Sequence, residues 1–147
     1  MKKDNLAIVS NEKTYANKNY YYCDNIETKS IPEGLSKDFN IELFVRNSKI
    51  ERESHKINLD RVIISKGIVS YISNILKYSN SNQKYLVISL SPYTFIICLL
   101  LFVLRKKVFV YLRSNGYEEY RCYSKYFGPF IYHIMFSIVS KISHLIS

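Results

Sequence analysis

Tryptophan is absent from this 147-residue chain, and glycine (4), proline (3) and cysteine (3) are scarce. So little glycine and proline excludes a flexible linker and any collagen-like or low-complexity tract. Cys23, Cys98 and Cys122 are odd in number and far apart, with no CxxC and no His-Cys ligand spacing. Neither a zinc site nor a disulfide framework is signalled, and this usage fits a reducing compartment. There is no GxGxxG and no GxxxxGK[ST], so neither dinucleotide nor P-loop binding is supported and no cofactor is implied. Acids are nearly missing from the second half. Residues 81–147 hold 8 Lys+Arg and only Glu118 and Glu119 as acids, against 13 basic and 10 acidic residues in 1–80.

What is present is an apolar fraction of 48%, enough for a core and against disorder. The length suits one domain. Formal charge is +9, a balance compatible with an anionic ligand or membrane surface. Enrichment in Lys, Asn, Ile, Tyr and Phe together is also what an AT-rich genome encodes. Nucleic-acid binding has charge in its favour and no motif.

Residues 85–104 run 20 positions without a charge, a length that could cross a bilayer, and 126–140 form a second uncharged stretch. An integral membrane protein with spans at 85–104 and 126–145 is therefore one alternative. Ser89, Ser91, Pro92 and Thr94 interrupt the first run where a strand would turn into a helix. Ser91-Pro92 supplies a capping hydroxyl followed by proline at the first helical position. The reading adopted is a strand at 85–90, a helix at 94–104 closed by Arg105, Lys106 and Lys107, and a strand at 108–112: a parallel βαβ unit. Elsewhere, strands are predicted at 5–9, 41–45 and 61–65, and helices at 24–39, 67–78 and 129–142. Residues 10–22 are read as a polar loop, 46–60 as a surface excursion with an edge strand, 113–120 as a loop and 143–147 as the start of a last strand. The order β-α-β-β-α-β-α-β-α-β predicts a doubly wound, Rossmann-like α/β fold with a parallel sheet and helices on both faces.

Ligands of such sheets bind outside the carboxyl ends of the strands, so candidate residues are sought there. Arg113 offers paired donors to phosphate or sugar oxygens, Asn115 both donor and acceptor, and Gly116 close approach; Ser114 lies between them. Glu118 and Glu119 either position an acceptor hydroxyl or serve as first-turn helix acids. Ser91 and Tyr93 sit at the next strand end, and Ser10 and Asn11 at the first, with Lys13 and Lys18 within reach of an anion. Each cluster has a plain alternative: a turn, a cap or a solvated loop. His133 reads as a satisfied helix residue, and His55 and His144 belong to no recognisable triad. Lys125, Tyr126, Phe127, Phe130, Tyr132, Phe136 and Lys141 either face a membrane interface or complete the core.

Segments 35–45, 85–92, 107–120 and 142–147 together resemble the N-terminal domain of retaining GT-B glycosyltransferases of the family 4 type. The resemblance implies that the chain is the acceptor-binding half of an enzyme moving a sugar from a nucleotide-sugar to a glycan or lipid-linked glycan. Residues 1–147 would be the acceptor-side domain, with the donor-binding C-terminal domain absent and the isolated chain inactive. It also implies a cytoplasmic setting with peripheral contact at the inner face of the membrane. Two features depart from the pattern: 10–22 carries no glycine where the family commonly has a Gly-Gly pair, and the donor-site motif is missing. A non-catalytic anion-binding Rossmann-like module is the remaining alternative.

Overall fold

A computed structural model describes residues 3–80 and 84–146. The fold is Rossmann-like α/β, with seven strands and five helices. Five strands run parallel: β1 (Asp4–Asn17), β3 (Phe39–Asn47), β5 (Val62–Ser65), β6 (Lys84–Ile88) and β7 (Lys107–Tyr111). Their spatial order is β5-β3-β1-β6-β7. The predicted runs at 5–9, 41–45, 61–65, 85–90 and 108–112 all fall on these strands.

Leu6, Ala7, Ile8 and Val9 are buried without alternation because β1 is central and covered on both faces. Helix α1 (Ile26–Leu35) covers one face, over Leu6, Ile8, Leu43 and Ile88. On the other, α2 (Ile68–Tyr78), α3 (Pro92–Val103) and α5 (Phe127–Ile146) enclose Ala7, Val9, Phe44 and Val87. The helix starts are local chemistry. Asn25 accepts from the Glu27 N–H at 2.9 Å, and Ser91 Oγ accepts from the Thr94 N–H at 3.3 Å while the Ser91 N–H donates to Thr94 Oγ1 at 2.7 Å. Buried Tyr71 of α2 ties two strand ends together: its hydroxyl donates to the Ser10 carbonyl at 2.7 Å and lies 3.1 Å from that of Phe44.

Three expectations are corrected. Residues 10–22 are not a loop. After a bulge between Val9 and Lys13, β1 continues to Asn17 and turns at Lys18 (φ 54°) into antiparallel β2 (Tyr20–Cys23), which pairs with β4 (His55–Ile57). The polar residues hid this, although Tyr20, Tyr21 and Tyr22 have strong strand preference. Residues 113–120 contain the start of a helix, α4 (Gly116–Tyr123), capped by Asn115. The terminal strand at 143–147 is instead the continuation of α5 through Ile146, because Ile138, Val139, Ile142, Leu145 and Ile146 keep helical spacing; Ser147 lies outside the described residues. The adopted reading of 85–104 as strand, turn and helix holds; against the alternative of two spans, among the described residues no helix is long and apolar enough to cross a membrane.

Candidate functional site

From β1 the chain winds one way through β3 and β5, then the other through β6 and β7. The strand order therefore reverses between β1 and β6, and the carboxyl ends of these two neighbours diverge there into a crevice. A cavity of ≈ 490 Å³ occupies that place. Ser10, Asn11 and Glu12 enter it from β1, and Ile88, Ser89, Leu90, Ser91 and Pro92 from the turn between β6 and α3. Thr28 of α1 and Arg113 after β7 close one side. Glu119, Tyr120 and Tyr123 of α4, with Phe127, Gly128 and Ile131 of α5, form the opposite wall.

The polar floor is held in place. Ser10 is buried; its Oγ accepts from the Glu12 N–H at 3.2 Å and stands 3.5 Å from Thr28 Oγ1. Ser89 is in the left-handed region at φ 62°, a conformation that costs a serine about 1 kcal/mol or more. It is kept there by its N–H, donated to the Tyr111 carbonyl at 2.8 Å, and by its own carbonyl, which accepts from Thr94 Oγ1 at 2.9 Å. Asn11 Oδ1 accepts from Arg46 at 3.0 Å, and that guanidinium lies over the Tyr93 ring, 4.0 Å from its centroid. Arg113 Nε is 3.7 Å from Glu27 Oε2.

Of the residues singled out in the sequence, Ser10, Asn11, Ser91, Arg113 and Glu119 converge on the cavity. Tyr93 does not line it; it supports Arg46 and meets Tyr71 edge-on at 6.4 Å. Ser114 donates to Glu119 at 2.9 Å, Asn115 accepts from the Tyr117 N–H at 3.1 Å, and Glu118 pairs with Arg121 at 2.9 Å. These three organise the start of α4. Gly116 is a packing residue: a Cβ there would meet the ring of Tyr132, which also touches Tyr117 and Tyr120 at centroid distances of 4.9 and 5.3 Å. Lys13 and Lys18 lie outside the cavity lining. His133 accepts or donates locally, to the Tyr117 hydroxyl at 2.8 Å and Ser137 at 3.5 Å.

Glu12, Thr28, Ser89, Tyr120 and Tyr123 escaped sequence reasoning. One signal was available: Asn115 followed three residues later by Glu118 is a helix-start pattern, and α4 would have aimed Glu119 and Tyr120 at one face. Burial pushes the Cys23 and Cys98 thiols up, to about 11 and about 12, so neither is a ready nucleophile. Among the described residues no group of three or more His, Cys, Asp or Glu could hold a metal ion.

Burial raises the Glu12 carboxyl above its ordinary 4.5, against the lowering effect of Arg52 and Arg113. A raised carboxyl stabilises the fold at low pH and loses that contribution as pH rises through its folded value. Glu12→Gln is therefore expected to leave stability unchanged well below pH 4.5 and to raise it increasingly above that, as the ionised form is replaced. Urea midpoints of both proteins measured between pH 3.5 and 8 check this; a variant less stable at pH 8 would contradict it.

Comparison with family models, curated proteins and solved structures finds no match for this chain.

Proposed function

We propose that this chain is the acceptor-binding half of a retaining GT-B glycosyltransferase, acting on a glycan or lipid-linked glycan at the inner face of a membrane. The observation that carries the reading is the crevice at the β1/β6 switch point, where hydroxyls and amides (Ser10, Asn11, Ser91), charged groups (Glu12, Arg113) and aromatic rings (Tyr120, Tyr123) share one cavity. Saccharides offer hydroxyls to the first two kinds of group and C–H faces to the third. Sugar transfer also needs a cradle for the departing diphosphate. Around this cavity Asn25 and Ser91 each take one first-turn amide of their own helix, and Pro92 has none to offer. The donor site of the proposed enzyme would thus lie on a separate domain.

The test uses the ¹⁵N-labelled chain. Neutral saccharides are expected to shift the amides of Asn11, Ser89 and Ser91, while a nucleotide-sugar alone leaves them in place and yields no transferred sugar. Turnover by the isolated chain would refute the division of labour, and saccharides that shift only other amides would refute the site.

The membrane part of the proposal rests on α5 and the turn before it. Tyr126, Phe127 and Phe130 are strongly exposed beside Lys125, and Ile131 and Ile134 extend the same apolar strip. Tyr132 is buried and Phe136 partly buried against the core, so that half of the aromatic set is structural. Binding to vesicles containing anionic phospholipid is expected, weakening as salt rises because screening shortens the reach of surface charge. Equal partitioning onto neutral and anionic vesicles would count against it.

A further inference from the structure

The charges around the cavity do not suit a phosphorylated ligand. Arg52 forms an ion pair with Asp24 and Arg113 stands 3.7 Å from Glu27, so each guanidinium is shared between Glu12 and a second carboxylate. Glu12 and Glu119 line the cavity as well, and among the described residues neither makes an ion pair. The Ser114 hydroxyl that holds Glu119 does not neutralise it. Counted by sign, the lining carries two carboxylates, Glu12 and Glu119, and one guanidinium, Arg113, an excess of one negative charge. The wall that carries Glu119 is otherwise largely aromatic, with Tyr120, Tyr123 and Phe127. Carboxylates beside aromatic rings attract a cation, and because Tyr123 and Phe127 are largely exposed the ammonium would stay partly solvated there. The local field agrees in sign. Burial and then the Glu119 carboxylate push the Tyr120 hydroxyl up to about 12.

We infer that the ligand of this cavity is a saccharide bearing a free amine, its ammonium received by the carboxylates Glu12 and Glu119 beside the rings of Tyr120 and Tyr123. The inference rests on the saccharide reading above and adds the charge of the ligand to it. Arg113, whose Nε stands 3.7 Å from Glu27, has further donors to offer ring or hydroxyl oxygens.

The experiment titrates the ¹⁵N-labelled chain at low ionic strength with glucose, glucosamine, N-acetylglucosamine and glucose 6-phosphate. The amides of Glu12, Ser89 and Ser91 report binding. Glucosamine is expected to bind on the order of tenfold or more tightly than glucose or its own N-acetyl derivative, as a charge-assisted contact predicts. Glucose 6-phosphate should be the weakest. Glu12→Gln and Glu119→Gln should each narrow the gap between glucosamine and N-acetylglucosamine, with the rest of the amide spectrum showing that both variants fold. Glucosamine no tighter than N-acetylglucosamine, or glucose 6-phosphate tightest of the four, overturns the inference and leaves the saccharide site standing. Methylammonium shifting these amides while no sugar does would overturn the saccharide reading itself, and the amine-bearing sugar with it.

Discussion

Gly128→Ala is expected to be among the most damaging single-methyl substitutions in this protein, lowering stability by about 2–3 kcal/mol and Tm by roughly 5–10 °C. Gly128 stands in the first turn of α5, and a Cβ there would collide with the carbonyl oxygen and carbon of Tyr120 in α4. Both parties to the collision are backbone, so no rotamer change relieves it. The helices would have to separate, and Tyr117, Tyr120 and Tyr132, whose rings join α4 to α5, would lose contact. Phe127 and Gly128 also line the cavity, so the variant should bind saccharide poorly even where it remains folded. Gly34→Ala supplies the opposite sign. Nothing lies within 4 Å of a Cβ at Gly34, which is exposed near the end of α1, and alanine there should stabilise by about 0.5–1 kcal/mol. Thermal unfolding of the two variants side by side settles the matter; a Gly128→Ala protein as stable as the parent would mean that α4 and α5 are not packed as described.

Arg113→Ala is expected to weaken binding of a neutral saccharide roughly tenfold to a hundredfold, the size of one lost charge-assisted hydrogen bond. Read from the sequence, Arg113 is a strand-end residue with little packing, and its removal should hardly touch stability. Its position alters that expectation. Glu27 Oε2 is buried and has no hydrogen-bond partner; the Arg113 guanidinium is the cation facing it. Deleting the arginine leaves that carboxylate uncompensated, at a cost of about 1 kcal/mol once solvent screening of this one-third-exposed pair is allowed for. Combining Arg113→Ala with Glu27→Gln should restore the urea midpoint without restoring the affinity. Glucosamine should lose less than a neutral sugar, because the single variant makes the cavity more negative. If the single variant folds and binds neutral saccharides as the parent does, Arg113 is only a counter-ion for Glu27 and not a binding residue.

The parallel sheet was legible because its signals are local. Leu6–Val9 is apolar without alternation, as a central strand must be, and Ser91-Pro92 marks a helix start whatever surrounds it. The hairpin of β1 and β2 was not legible. Its turn at Lys18 and Asn19 carries no glycine, and the bulge after Val9 shifts which residues face the core. A polar stretch that pairs on both sides resembles a loop until its partners are known. The end of the chain misled for a related reason: a short apolar stretch at 142–146 fits a strand and a helix equally well, and only its continuity with α5 decides between them.

The five parallel strands, the helices between them and hence the class of fold follow from periodicity and capping within windows of about ten residues, where the sequence by itself is sufficient. Which polar side chains share a cavity does not. Glu12, Thr28, Ser91, Arg113 and Glu119 come from five segments, and they meet because β1 and β6 became neighbours at the point where the winding reverses. That adjacency depends on crossovers that span the whole chain. The same folding pairs Arg52 with Asp24 and sets Arg113 against Glu27, which converts a chain of net charge +9 into one whose candidate site carries an excess of carboxylate. Net charge is additive over residues and can be counted in advance; the sign of the field inside a cavity depends on distances between groups, and only the tertiary structure sets those.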